Sequence, residues 1–157
     1  RTPRPAPRHA PPSPVETLLR LVVERPGWAA CIPWGLIPED KPEGRALVAV
    51  MDAVDVGDLP GSGGLGMVLE HFRHSPHAEV LARQAARTSE DPFDDEVVET
   101  VFQDTLDKLR QAHARQEFAA LTDKARSSGL NAEELARYRE LLRAGKEPAK
   151  PQKVSDS

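Results

Sequence analysis

The chain has 157 residues, enough for one ordinary domain or one domain with a small appendage. Apolar residues make up 39% but aromatics only 4%, so a core must be mostly Leu, Val and Ala. The single cysteine, Cys31, excludes an internal disulfide and a cysteine-based zinc site, and a formal charge of −4 gives no overall attraction to nucleic acid. No apolar run reaches the ~18 residues of a membrane span. One cysteine points to a reducing, cytoplasmic setting. The chain starts without Met and without an apolar signal core, as a piece cut from a longer protein would.

Residues 1–12 are basic and Pro-rich, with Arg1, Arg4 and Arg8 among five prolines, and are expected to be a disordered linker. Ser13, Pro14 and Glu16 occupy the N-cap, first-turn and capping-box positions of a first helix, which carries Leu18, Leu19, Val22 and Val23 and stops at Pro26-Gly27. A short helical turn at Trp28 to Ile32 follows. Trp28 and Trp34 are expected to lid the core, and Cys31 to be a small buried side chain.

Another helix is predicted over Glu43 to Val56, with Leu47, Val50, Met51 and Val54 inward. Gly61, Gly63 and Gly66 then spell G-x-G-x-x-G. Gly57, Asp58 and Pro60 separate this loop from any strand, and no β-rich run exists to build a parallel sheet, so it reads as an inter-helix loop and not as a dinucleotide site. Helices over Leu65 to Arg73 and His77 to Arg87 are separated by Ser75-Pro76. His71, His74 and His77 lie close in sequence, but that break turns His77 away and no H-E-x-x-H pattern occurs. No metal site is expected.

From Asp94 to Ser128 there is neither Gly nor Pro, and apolar residues from Val97 to Ala125 recur with a helical period. A helix of 30 residues would run about 45 Å, more than a small domain needs. Its stripe is dense from Val98 to Leu109, thins to alanines and charges over Arg110 to Glu117, and resumes at Phe118 and Leu121. That pattern marks a join between two packing units. Gly129 ends the helix, and Asn131 with Glu134 caps a last one carrying Leu135, Tyr138, Leu141 and Leu142. The resulting reading is all-α: a bundle over residues 13–109, then a helical hairpin over 110–145, linked by one long helix. Residues 146–157 are expected to be a disordered tail.

No nucleophile–base pair, paired-carboxylate motif or phosphate-cradling loop is present, so no enzymatic activity and no cofactor are expected of this chain. The segments SPVETLLRLVVERPGWAACIP (13–33), LEHFR (69–73), ETVFQDTLDKL (99–109) and RSSGLNAEE (126–134) together resemble the C-terminal, helicase-interaction domain of bacterial DNA primase. The resemblance spans roughly residues 13–145 and rests on the order and spacing of the segments.

That resemblance implies a helical bundle followed by a hairpin that docks onto the N-terminal domains of the hexameric replicative helicase at the replication fork. The parent enzyme would make RNA primers with zinc and magnesium held in other domains. On the hairpin, Tyr138, Leu141 and Leu142 are the expected helicase contacts, flanked by Arg139 and Arg143; internal packing against Phe118 and Leu121 is their alternative role. The family's bundle also holds the acidic tail of single-stranded-DNA-binding protein. Here Arg83, with Val15 and Leu81 as floor, would form that pocket, and Glu16 departs from the basic residue that relatives can carry. The competing reading is a helical nucleic-acid-binding module, disfavoured by the net charge and the lack of a basic recognition helix.

Overall fold

The structure, a computed structural model, describes residues 12–146; the expected linker (1–12) and tail (146–157) lie outside them except for Pro12 and for Lys146, which belongs to the last helix and not to the tail. Among the described residues six α-helices follow one another: α1 (Pro14–Glu24), α2 (Pro42–Asp55), α3 (Leu65–His71), α4 (Ala78–Glu90), α5 (Val98–Ser127) and α6 (Ala132–Lys146). A 3-10 turn, Pro26–Cys31, separates α1 from α2. Among the described residues there is no strand, and no helix is long and apolar enough to cross a membrane. The chain divides into two compact units between Leu109 and Arg110.

The first unit is organised around α1. Ser13 caps it as expected, its Oγ accepting from the Glu16 amide at 3.2 Å. Five residues of this 11-residue helix are fully buried: Leu18, Leu19, Leu21, Val22 and Val23. So wide an apolar face needs partners on several sides, and α1 packs against α2, α4, the 3-10 turn and α3. Leu47 and Val50 from α2, Leu81 from α4, and Phe102 and Leu106 from α5 complete the core. Trp28 meets Phe102 edge to face, centroids 4.7 Å apart, so it does close the core.

Polar contacts tie the α4–α5 connection to α1. Arg20 donates from Nη2 to the Asp91 carbonyl at 2.6 Å and lies 4.6 Å over the Phe93 ring. Arg25 pairs with Asp95, and Arg87 on α4 reaches Glu16 at 3.5 Å. At the opposite side of the chain order, the Gly27 amide donates to the Gly61 carbonyl at 3.0 Å, which pins the glycine loop to the 3-10 turn. The loop that joins α2 to α3 is thereby held in place.

Three expectations need correcting. Cys31 is exposed, because it ends the 3-10 turn, whose inward side is taken by Pro26 and Ala29. Trp34 is 57% exposed on the loop after Pro33 and lids nothing. Val97 is 47% exposed because α5 begins only at Val98; Asp94 closes a cap-like turn before it, its Oδ1 accepting from the Glu96 amide and its carbonyl from the Val98 amide. The fourth helix also runs three residues further than read, to Glu90, with Thr88 Oγ1 donating to the Gln84 carbonyl inside the core.

One glycine is sterically required. A Cβ on Gly44, in the first turn of α2, would lie 1.9 Å from the Pro38 carbonyl oxygen. Alanine would gain up to about 1 kcal/mol of helix propensity. Against that, the backbone at Pro38 would have to move, and overpacking of this kind costs about 1–3 kcal/mol. The clash wins. Gly44→Ala should lower the thermal midpoint, and an unchanged or raised midpoint would show that the segment before α2 yields freely.

Candidate helicase-docking hairpin

The second unit consists of the end of α5 and of α6. The Asn131 side chain accepts from the Glu134 amide at 2.8 Å, the cap read from the sequence. Gly129, at φ 81°, closes α5: its amide and that of Ser128 both donate to the Lys124 carbonyl. A residue with a Cβ would be strained there. Together the two signals set a turn of only a few residues, which brings α6 back along α5.

Two ion-pair clusters hold the helices together. Arg137 donates from Nε and Nη2 to both oxygens of Glu117, at 2.7 and 2.9 Å, and from Nη1 to Glu140 at 3.1 Å. Nearer the turn, Lys124 Nζ meets Glu134 at 2.6 Å. Bidentate geometry makes the Arg137–Glu117 pair stronger than an ordinary surface contact. Its hydrogen bond holds the Glu117 carboxyl below the usual value of 4.5, and the Arg137 guanidinium is correspondingly raised. Lys124, helped by the Asn131 backbone, lowers Glu134 in the same way.

Groups with lowered folded-state pKa contribute stability above their ordinary value, and that contribution is lost as pH falls through the lowered one. On acidification from neutral pH, α6 amides should therefore lose hydrogen-exchange protection below about pH 4.5, the usual value for both carboxyls. Arg137→Ala should remove the part of this acid sensitivity that Glu117 contributes and leave the part due to Glu134. At neutral pH it should cost no more than about 1 kcal/mol, since the pair is solvent-screened. Protection that is independent of pH, or unchanged by Arg137→Ala, would count against the pairs.

Apolar packing between the two helices is thin. Phe118 and Tyr138 stack, centroids 5.1 Å apart and rings inclined by 10°. Among the described side chains of α6 only Leu141 is buried, and no residue of α5 beyond Leu109 is. What remains is an open groove of about 580 Å³ lined by Gln111, Ala114, Arg115 and Phe118 of α5 and by Leu141, Leu142, Ala144 and Gly145 of α6.

The expected contact residues thus separate. Leu141 and Leu142 wall the groove, Tyr138 spends a ring face on Phe118, and Arg139 and Arg143 are exposed beside them. The α5 wall was not singled out from the sequence. Positions 111, 114, 115 and 118 fall on one helical face, and this spacing was the available signal; the alanine hid it, because small residues weaken an apolar stripe.

In the first unit, Arg83 lines a smaller groove of about 370 Å³ with Arg45, Glu43, Glu79, Pro42, Pro76, His77 and Val80. Leu81 is fully buried and Val15 half-buried against the core; neither lines that groove. Among the described residues no three His, Cys, Asp or Glu side chains come together as metal ligands, and His71 and His77 instead pack around Phe72.

A small helical bundle followed by a helix pair with an open apolar groove has the architecture of a protein-docking domain. Residues 15–141 match the family described as DNA primase DnaG DnaB-binding, and the chain belongs to that family: it is a helicase-binding domain of a DNA primase. A solved structure of the DnaG primase C-terminal domain from Vibrio cholerae has the same fold, with a TM-score of 0.66 and 24% identity over 85% of this chain and 95% of that one. No curated protein sequence matches.

Proposed function

We propose that the α5–α6 hairpin is the part of this domain that grips the N-terminal domains of the replicative helicase, through the groove between Phe118, Leu141 and Leu142. The observation that carries this reading is the groove itself. The first unit has a closed core, with Trp34, Val56, Met67 and Val97 exposed singly on its surface, whereas the hairpin leaves a continuous apolar channel open between its helices. Apolar surface left open beside polar rims is what a partner covers. Leu142 is the anchor, half-buried on the groove wall. Arg115 stands in the α5 wall, and Arg139 and Arg143 are exposed on α6 outside the groove lining.

The domain in this role is an adaptor without chemistry of its own. It places a primer-synthesising enzyme at the replication fork, in the cytoplasm, and the zinc and magnesium of that enzyme belong to its other domains. Direct DNA binding is disfavoured by the acidic composition of the bundle. Docking of an acidic tail from single-stranded-DNA-binding protein is supported only by Arg83 and Arg45, and Glu43 and Glu79 share their groove. The immobilised chain should retain purified replicative helicase and leave DNA unshifted in a gel at moderate salt. Failure to retain helicase would sink the docking reading. A shifted duplex would revive the nucleic-acid alternative.

A further inference from the structure

Among the described residues three glycines lie inside α-helices: Gly44 in α2, Gly66 in α3 and Gly145 in α6. Glycine weakens a helix relative to alanine, so each calls for a reason. Gly44 has one in the Pro38 carbonyl that a Cβ would strike. Gly145 has none within the chain: its φ is not positive, and a Cβ there would meet nothing within 4 Å. Gly66 is equally unconstrained, but it belongs to the first unit and lines neither groove. Gly145 lines the open groove of the hairpin, together with Ala114 of α5, and follows Leu141 by four residues on the same face of α6. The ion pairs of the hairpin and the Phe118–Tyr138 stack all lie between Leu141 and the turn that joins the two helices. Past them the groove is unfilled, although any side chain at position 145 would have filled part of it and strengthened the helix as well.

We infer that Gly145 is a specificity-determining position of the docking surface: the side chain missing there leaves room, beside Ala114 and Leu141, for one large apolar side chain of the helicase. The inference rests on the docking reading and adds to it the residue that sets the size of what enters. Size fits the groove. A closed cavity of about 150 Å³ holds a benzene ring. This groove has about 580 Å³ and is open to solvent, so a leucine- or phenylalanine-sized group enters with space for the backbone that carries it. Polarity fits as well. Of the lining residues only Gln111 and Arg115 carry polar side-chain atoms, and a polar group entering among the others would lose its hydration without return. The groove therefore selects by volume, and the small residue at 145 is what keeps that volume available to a partner.

The test sets stability against binding, because the two should move in opposite directions. The full chain is titrated with a purified helicase N-terminal domain, and amide exchange along α6 is measured without it. Gly145→Ala should slow exchange of the α6 amides about threefold, as a better helix former does, and weaken binding about two- to threefold. Gly145→Leu, whose side chain would occupy the groove itself, should leave α6 at least as protected and weaken binding about tenfold. Gly66→Ala, the same change in the first unit, should alter affinity less than about twofold. Faster α6 exchange in Gly145→Leu would mean that the glycine serves the hairpin's own fold, and would overturn the inference. Undiminished binding by Gly145→Leu would overturn it too while leaving the docking reading intact, whereas an unaltered chain that does not bind at all would overturn the docking reading itself. Two further results would give the groove a different occupant and so refute the helicase side chain. One is a chain ending at position 146 that binds helicase about tenfold tighter, which would assign the groove to residues 147–157. The other is a dimer in sedimentation that Gly145→Leu abolishes, which would assign it to a second copy.

Discussion

Ending the chain at Leu130, so that α6 is lost, should abolish helicase binding while the remaining bundle still unfolds in one cooperative transition. The basis is the distribution of buried side chains. Every large residue of the closed core lies between Leu18 and Leu109, and among the described residues that would be removed only Leu141 is buried. The groove, in contrast, loses four of its eight walls. Within the intact chain, Leu142→Ala should cost about 2 kcal/mol of binding, the loss expected of an anchor. Tyr138→Ala is the poorer test, because its ring packs on Phe118 and its removal loosens the hairpin as well. Thermal melts must accompany both. Binding retained by the shortened chain would place the contact on the bundle and refute the assignment.

Phe102→Ala should be the most damaging single change to stability, at about 3–5 kcal/mol. Phe102 is 2% exposed and sits where the first turns of α5 meet the core, with Trp28 edge-on at 4.7 Å. Truncation removes both the buried ring area and the aromatic contact, and a cavity stays behind because α1 and α2 are fixed by their own packing. Small domains have only about 5–15 kcal/mol in total, so the variant should be partly unfolded at physiological temperature. Its near-ultraviolet circular dichroism should weaken as Trp28 loses its neighbour. Phe102→Leu, which refills most of the volume, should be milder. A loss below about 1 kcal/mol for Phe102→Ala would mean that the core at this end is loosely packed.

Local rules made much of this fold legible beforehand. Ser13, Asn131 and Gly129 are where capping chemistry places them, because a cap depends on residues three or four apart. Helical stripes in α1, α2 and the first third of α5 were readable for the same reason. What escaped were contacts between residues far apart in the chain. Arg20 on Phe93 and Asp91 joins positions about seventy residues apart, and Arg137 meets Glu117 across a turn. An arginine carries nothing in its neighbours that names such a partner. The exposure of Cys31 and Trp34 was misread in a similar way: apolar character suggests burial, but a short turn has only one inward side.

The thinness of the hairpin's own packing has an evolutionary consequence. Substitutions along Gln111, Ala114, Arg115, Leu142 or Arg143 touch almost nothing that keeps the bundle folded. A lineage can therefore rewrite this surface to follow a drifting partner without sacrificing the solubility or lifetime of the polypeptide that bears it. Changes at Leu18, Leu47 or Phe102 have no such latitude, because each is paid for at once in foldedness.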